Sequence, residues 1–213
     1  MKLSRSLLVS LVFVAIALAA VLWLYPSLPP QVPVHWNLQG APDGYRSRPW
    51  GAAMPVLIMA GLSFLLWLLP GISPRGFELS SFSSVYALLM LAVQAALLVI
   101  LLAGLVASAG YAVSMWKVTS LSLGALLMVL GNFMGKLRKN FFIGIRTPWT
   151  LSSDAVWERT HRAGGWMFVA TGALVMLAVA FGGPRWLTFA LVLLMAAACV
   201  LYSLLVYRHI ERR

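Results

Sequence analysis

The chain has 213 residues, 62% of them hydrophobic and 10% charged, with a net charge of +11. Soluble domains carry about 45–50% apolar and about 25% charged residues, so this composition excludes a water-soluble globular fold and calls for the bilayer as solvent. The charge does not point to nucleic acid: the basic residues sit in short segments between apolar runs, where they set orientation and meet anionic lipid head groups.

Six apolar runs are long enough to span: Leu7–Tyr25, Ala52–Leu69, Val85–Ala107, Val118–Met134, Gly165–Phe181 and Trp186–Tyr207. A spanning helix needs roughly 17–25 residues, because each adds about 1.5 Å across a core of about 30 Å. The expected fold class is therefore an all-α membrane protein. It is a bundle of about six transmembrane helices with short loops, one longer outer loop and one longer basic cytoplasmic loop.

The first run opens like a signal peptide, with Lys2, Arg5 and a cleavage-like Ala17-Leu18-Ala19. It continues through Val21 to Tyr25, however, and reads as a retained helix with Trp23 and Tyr25 at the interface. Pro26, Pro29, Pro30 and Pro33 stop it, since proline lacks an N–H and restricts the residue before it.

The outer loop follows. Val32, Val34 and Trp36 alternate with Pro33, His35 and Asn37, as in a short extended segment, and Asp43-Gly44 is a turn signal. His35 suits a ligand contact or a pH sensor, but the reading favoured is a structural imidazole bonded to nearby backbone or to Asp43. The loop offers only His35 and Asp43 as usual metal ligands, so neither a metal nor a cofactor is expected.

Pro70-Gly71 and Gly182-Gly183-Pro184 read as tight turns. The fourth run carries Thr119, Ser120, Ser122 and Asn132 and is expected to pack inside the bundle. Cys199, the single cysteine, lies in an apolar run, which excludes an intrachain disulfide.

The stretch from Asn132 to Thr150 is polar and basic in a chain that is otherwise almost all apolar. Lys136, Arg138, Lys139 and Arg146 form a basic cluster, Asn132 and Asn140 donate and accept hydrogen bonds together, and Pro148 fixes a turn beside Trp149. Two readings stand open: an interfacial hinge that binds lipid phosphates, and a docking surface or anionic-ligand site. Ser152-Ser153-Asp154 starts a short interfacial helix leading into the fifth span. It places Trp157, His161 and Gly164 on one face and Glu158 and Arg162 on another as an i, i+4 ion pair.

Orientation follows from Lys and Arg in the loops. One side holds Lys2, Arg5, Arg75, Lys136, Arg138, Lys139, Arg146, Arg159, Arg162, Arg208, Arg212 and Arg213, and the other Arg46, Arg48, Lys117 and Arg185. Twelve against four puts both termini and the basic loop in the cytoplasm. Enzyme motifs are absent: no HExxH, no Walker loop and no Gly-x-Ser-x-Gly elbow. The i, i+3 pair Glu158 and His161 lacks partner carboxylates on other helices. A non-enzyme is expected. Proton-coupled transport is disfavoured too, since Asp43, Glu78, Asp154, Glu158 and Glu211 fall outside the spans and Gln94 is the deepest polar residue.

Two constellations together resemble the SdpI family of bacterial membrane proteins, in which a small N-terminal module of unknown function precedes the SdpI module. The first module is similar to Pro33-Val34-His35-Trp36-Asn37, Gly40, Asp43-Gly44 and Pro55 here. The second is similar to Asn132-Phe133-Met134, Lys136, the run Asn140 to Leu151, Trp157, Thr160-His161-Arg162 and Gly164-Gly165. Gly135 stands where the family often has proline, which loosens the exit from the fourth helix. The modules divide the chain as residues 1–80 and 81–213.

The resemblance implies a role. The family's namesake protects a bacterium from its own secreted killing peptide and acts as a signalling receptor that holds a transcriptional autorepressor at the membrane. The expected partners are the lipid bilayer, a hydrophobic antimicrobial peptide and a cytoplasmic repressor, with no direct nucleic-acid contact, at the bacterial inner membrane. Outer-loop recognition is expected at His35, Trp36, Asn37 and Asp43. Cytoplasmic-loop recognition is expected at Asn132, Lys136, Asn140, Arg146, Thr147, Trp149, Trp157 and His161. The alternatives are a channel or transporter of a lipid or small solute, and a membrane enzyme.

Overall fold

The computed structural model describes residues 3–77 and 79–211; Lys2, Glu78, Arg212 and Arg213, which entered the charge pattern, lie outside the described residues. Seven helices and one hairpin follow in order among the described residues: α1 (Leu3–Leu24), β1 (Gln31–Trp36), β2 (Pro42–Ser47), α2 (Arg48–Leu68), α3 (Ser83–Ser108), α4 (Met115–Met134), α5 (Pro148–Ser152), α6 (Asp154–Ala180) and α7 (Trp186–Glu211). All but α5 are long and apolar enough to cross a membrane. At most 33% of the most apolar stretch of any of them is buried within the protein, so their apolar flanks need lipid as solvent. This is a multi-pass membrane protein.

The six long helices fall into two groups. α1, α2 and α3 pack together, as do α4, α6 and α7, and α3 also packs on α4. In the first group a buried polar cluster crosses three helices. Ser10 Oγ of α1 lies 2.7 Å from Ser63 Oγ of α2 and from Gln94 Oε1 of α3, and Gln94 Nε2 donates to Met59 O and Ser63 Oγ at 3.0 Å. Buried hydrogen bonds in membranes average only about 0.6 kcal/mol each, so the cluster fixes register more than it adds stability.

The second group is held by backbone contact. α4 and α6 run antiparallel and meet at glycines. A Cβ on Gly131 would sit 2.5 Å from Gly165 O, one on Gly165 2.8 Å from Gly131 O, and one on Gly172 2.5 Å from Gly124 O. Small residues let membrane helices approach until van der Waals contact is made by the backbone itself. The expectation that the fourth span packs inside the bundle agrees with this: α4 touches both α3 and α6.

Local signals end the elements as expected. Pro26 follows α1 in a short 3-10 turn, and Gly182-Gly183 turns α6 into α7, with Gly183 N donating to Ala178 O at 2.7 Å. Tyr86 OH lies 3.1 and 3.2 Å from Leu65 O and Leu66 O at the end of α2, where Leu69 N also donates to Leu65 O.

Three local expectations are corrected. Asp43-Gly44 is not the hairpin turn but lies inside β2, and the chain reverses at Asn37–Ala41. Asn37 outcompetes the Asp-Gly signal because its Oδ1 accepts from both Gln39 N and Ala41 N at 3.0 Å. The helix starting at Asp154, capped by Ser153, is not a separate interfacial piece: it runs unbroken into the span, and the short helix is α5, which precedes it. Glu158 does not pair with Arg162; its carboxylate lies 3.6 Å from Arg138.

The glycine contact yields a direct test. Gly131→Leu forces α4 and α6 apart and should lower stability by about 1–3 kcal/mol, the usual cost of overpacking. Gly61→Ala, where an added Cβ meets nothing within 4 Å, should leave stability unchanged or raise it by up to about 1 kcal/mol. Thermal unfolding of the two purified variants in one detergent compares them.

Candidate functional site

Two polar constellations lie at opposite ends of the helices. At one end the hairpin covers the mouths of α2, α3 and α4. β1 and β2 pair antiparallel, with register shifts that leave Val34 and Asp43 without partners across the ladder. The shifts bring His35 Nδ1 to 2.5 Å from Asp43 Oδ1, on an exposed face. The structural reading of His35 is therefore what the geometry contains.

The other face of the hairpin is apolar. Val32 lies against Gly51 of α2, where a Cβ would come within 2.6 Å of the valine Cβ. The Trp36 ring edge lies against Gly104 of α3, 3.0 Å from where a Cβ would stand. Two clefts open beside Trp36. One, of about 290 Å³, is bounded by Trp36, Met54, Pro55, Leu101 and Met115. The other, of about 250 Å³, lies between Trp36, Leu38, Trp116, Phe189 and Val192. Both are mainly apolar and open at the hairpin end of the bundle.

The hairpin tip is latched to the second helix group. Gly40, with φ +75°, faces Trp116 of α4, where an added Cβ would come to 3.5 Å from the tryptophan, and Arg185 donates to Gln39 O while its guanidinium lies 5.8 Å from the Trp116 ring centre. None of Gln39, Trp116 and Arg185 stood out in the sequence, because a backbone acceptor leaves no side-chain signature.

At the opposite end, residues 135–147 fold back against α6 and α7. Asn140 is fully buried and ties the loop to itself: Nδ2 donates to Arg138 O and Ile143 O, and Oδ1 accepts from Phe142 N and Ile143 N. His161 ties the loop to α6. Ile145 N donates to His161 Nε2 at 2.9 Å, and His161 Nδ1 lies 2.8 Å from Trp157 O. Both ring nitrogens are thus committed, Nε2 as acceptor and Nδ1 as donor, which fixes a neutral tautomer. The ring also stacks on Trp157 at 3.9 Å, and Trp157 Nε1 donates to Leu137 O at 2.9 Å.

Gly144 is required at this junction. Its φ is +119°, and a Cβ would stand 2.4 Å from His161 Nε2. Thr147 and Thr150 form a capping box at α5: Thr147 N donates to Thr150 Oγ1 and Thr150 N to Thr147 Oγ1. Trp149 Nε1 then donates to Ser203 Oγ on α7 at 2.6 Å. Thr150 and Ser203, both fully buried, are the structural partners the sequence reading left out. The single serine in the apolar run of α7 was the available signal for Ser203.

The remaining site residues are dispersed. Asn132 is exposed and bonds its own helix through Met128 O, so it does not act with Asn140. The expected basic cluster is divided among different neighbours. Lys136 lies over the Phe133 ring, Lys139 lies 2.6 Å from Asp154, Arg138 faces Glu158, and Arg146 donates to Phe141 O. Glu158, exposed at the surface, and His161, buried, face different surroundings.

With this geometry in place, the SdpI/YfhL protein family matches residues 136–203, which hold the folded-back loop, α5, α6 and most of α7. In this stretch the chain is similar to the SdpI family. A second match, to a domain of unknown function (DUF1648), covers residues 12–60, from α1 through the hairpin into α2. Over 208 residues the chain is 26% identical to "Immunity protein SdpI" of Bacillus subtilis (strain 168), covering 96% of each chain. No solved structure matches it.

The loop geometry predicts a shared defect. His161→Ala removes the acceptor of Ile145 N, and Gly144→Ala disturbs the same bond from the other side. Leaving a buried N–H unpaired costs about 1–3 kcal/mol, so amide exchange at Ile145 should quicken by roughly fivefold to a hundredfold in either variant. In the double variant the two effects should not add. Hydrogen–deuterium exchange of the purified variants measures both.

Proposed function

We propose that this protein is an immunity and signal-transduction protein that protects its cell from a secreted hydrophobic antimicrobial peptide. The observation that carries the reading is the pair of apolar clefts either side of Trp36, at the end of the bundle opposite the basic loop. An apolar peptide segment lying at the bilayer surface would bury its side chains there, beside the exposed polar edge formed by His35 and Asp43. The likeness to an immunity protein over 96% of the chain supports the same reading.

On this proposal the chain resides in the bacterial inner membrane, with both termini and the basic loop cytoplasmic, as the loop charges favour. Residues 1–80 form the module that supplies the hairpin, and residues 81–213 the module that supplies the remaining cleft walls and presents the loop. A cytoplasmic repressor would meet the exposed cations Lys136 and Arg146, because Asn140, Thr147, Trp149, Trp157 and His161 are spent holding the loop in shape.

The test is a membrane-potential dye assay on cells exposed to the candidate peptide. Cells carrying the protein should keep their potential. Met54→Trp, which fills the larger cleft, should abolish protection while the purified variant keeps its melting temperature. Equal depolarisation with and without the protein would sink immunity. Arg146→Ala should leave protection intact and abolish membrane capture of the repressor; unchanged capture would remove the loop from signalling. Reporter fusions at residue 40 and at the C-terminus should report opposite sides, the C-terminal one cytoplasmic.

A further inference from the structure

A third polar site lies on the outer flank of the α4–α6 pair, at the basic-loop end but outside the folded-back loop itself. It is a groove of about 200 Å³ lined by Asn132 and Gly135 from the end of α4 and by Arg162, Gly165, Trp166 and Val169 from α6. Its depth comes from the close approach of the two helices. Its chemistry comes from three side chains with hydrogen-bonding capacity that the fold leaves wholly or partly unused.

Arg162 is exposed and has no carboxylate within 4 Å among the described residues, since Glu158, one turn before it, faces Arg138. Trp166 is 76% exposed, and its indole N–H has no partner among the described residues. Asn132 spends one N–H on Met128 O and leaves its other N–H and its Oδ1 available.

The depth of the groove selects its ligand. From Arg162 to the far end of α6 at Ala180 is about 27 Å at 1.5 Å per residue, close to the thickness of the hydrocarbon core. Arg162 and Trp166 therefore stand at head-group level on the basic-loop side, where tryptophan is favoured. An unpaired guanidinium here meets phosphate, which it binds in a two-pronged fashion. Among the groove's lining residues there is no acid to receive an ammonium.

We propose that this groove is a binding site for the head group of an anionic phospholipid. Arg162 and the Trp166 N–H hold the phosphate, and Asn132 hydrogen-bonds the head-group hydroxyls. The site is independent of the peptide and repressor proposals.

The experiment is native mass spectrometry of the full-length, delipidated protein titrated with phosphatidylglycerol, phosphatidylcholine or inorganic phosphate. The wild type should bind phosphatidylglycerol in preference to phosphatidylcholine, and inorganic phosphate should not displace it. Arg162→Gln should weaken phosphatidylglycerol binding about tenfold, the worth of a charge-assisted bond, and erase the preference. Arg208→Gln, on α7, should change neither. Should Arg162→Gln lower the melting temperature, Arg162→Lys replaces it: charge kept and fork lost, it should show a partial loss. Undiminished phosphatidylglycerol binding in the Arg162 variant overturns the proposal. Equal binding of the two lipids, or displacement by inorganic phosphate, overturns it as well, the last by assigning the groove to a free anion.

Discussion

The structure depends on one contact in which almost nothing is present: the crossing of α4 and α6 at Gly124, Gly131, Gly165 and Gly172. Lipid tails are as apolar as leucine, so the hydrophobic effect does not drive helices together inside a bilayer, and close van der Waals contact has to do so. With no side chains between them, each helix lays its carbonyls against the other's glycines. That closeness carries the first turns of α6 beneath the end of α4. Trp157 then reaches Leu137 O, and Gly164 of α6 is left open for Ile145 to fill. The folded-back loop is a consequence of the helix crossing.

The loop solves a problem that the bilayer boundary poses. Backbone that leaves a helix near lipid must find hydrogen-bond partners within the protein. Here Asn140, His161, Thr147 and Thr150 supply them, while Trp149 ties the loop to the Ser203 hydroxyl of α7. The most specific residues of the sequence therefore act mainly on their own chain. Groups free to meet another molecule lie beside them, on exposed cations.

The sequence revealed the elements whose signal is local. Six spans, the proline stop after α1, the glycine turn before α7 and the extended segment ending at Trp36 all depend on hydropathy period or on backbone restriction. Trp157, His161 and Gly164 were legible as one face by helical spacing. What escaped was non-local. The partners of Trp149 and Ser10 lie on other helices, at Ser203 and at Ser63 and Gln94. No spacing rule joins residues more than fifty positions apart. Arg162 was misassigned for a related reason: an i, i+4 rule assumes that Glu158 has no better neighbour, and the loop brings Arg138 to it.

The latch between the hairpin tip and the second helix group has its own consequence. Arg185 grips the carbonyl of Gln39, and Trp116 supports the backbone of Gly40, so the latch reads main chain rather than side chains. The exposed side chains of Leu38 and Gln39 are free of that duty. A surface fastened in this way can drift in sequence without coming undone. The rim above the clefts can change its chemistry from one relative to the next while the scaffold that carries it stays the same, as antibody loops vary on a constant sandwich.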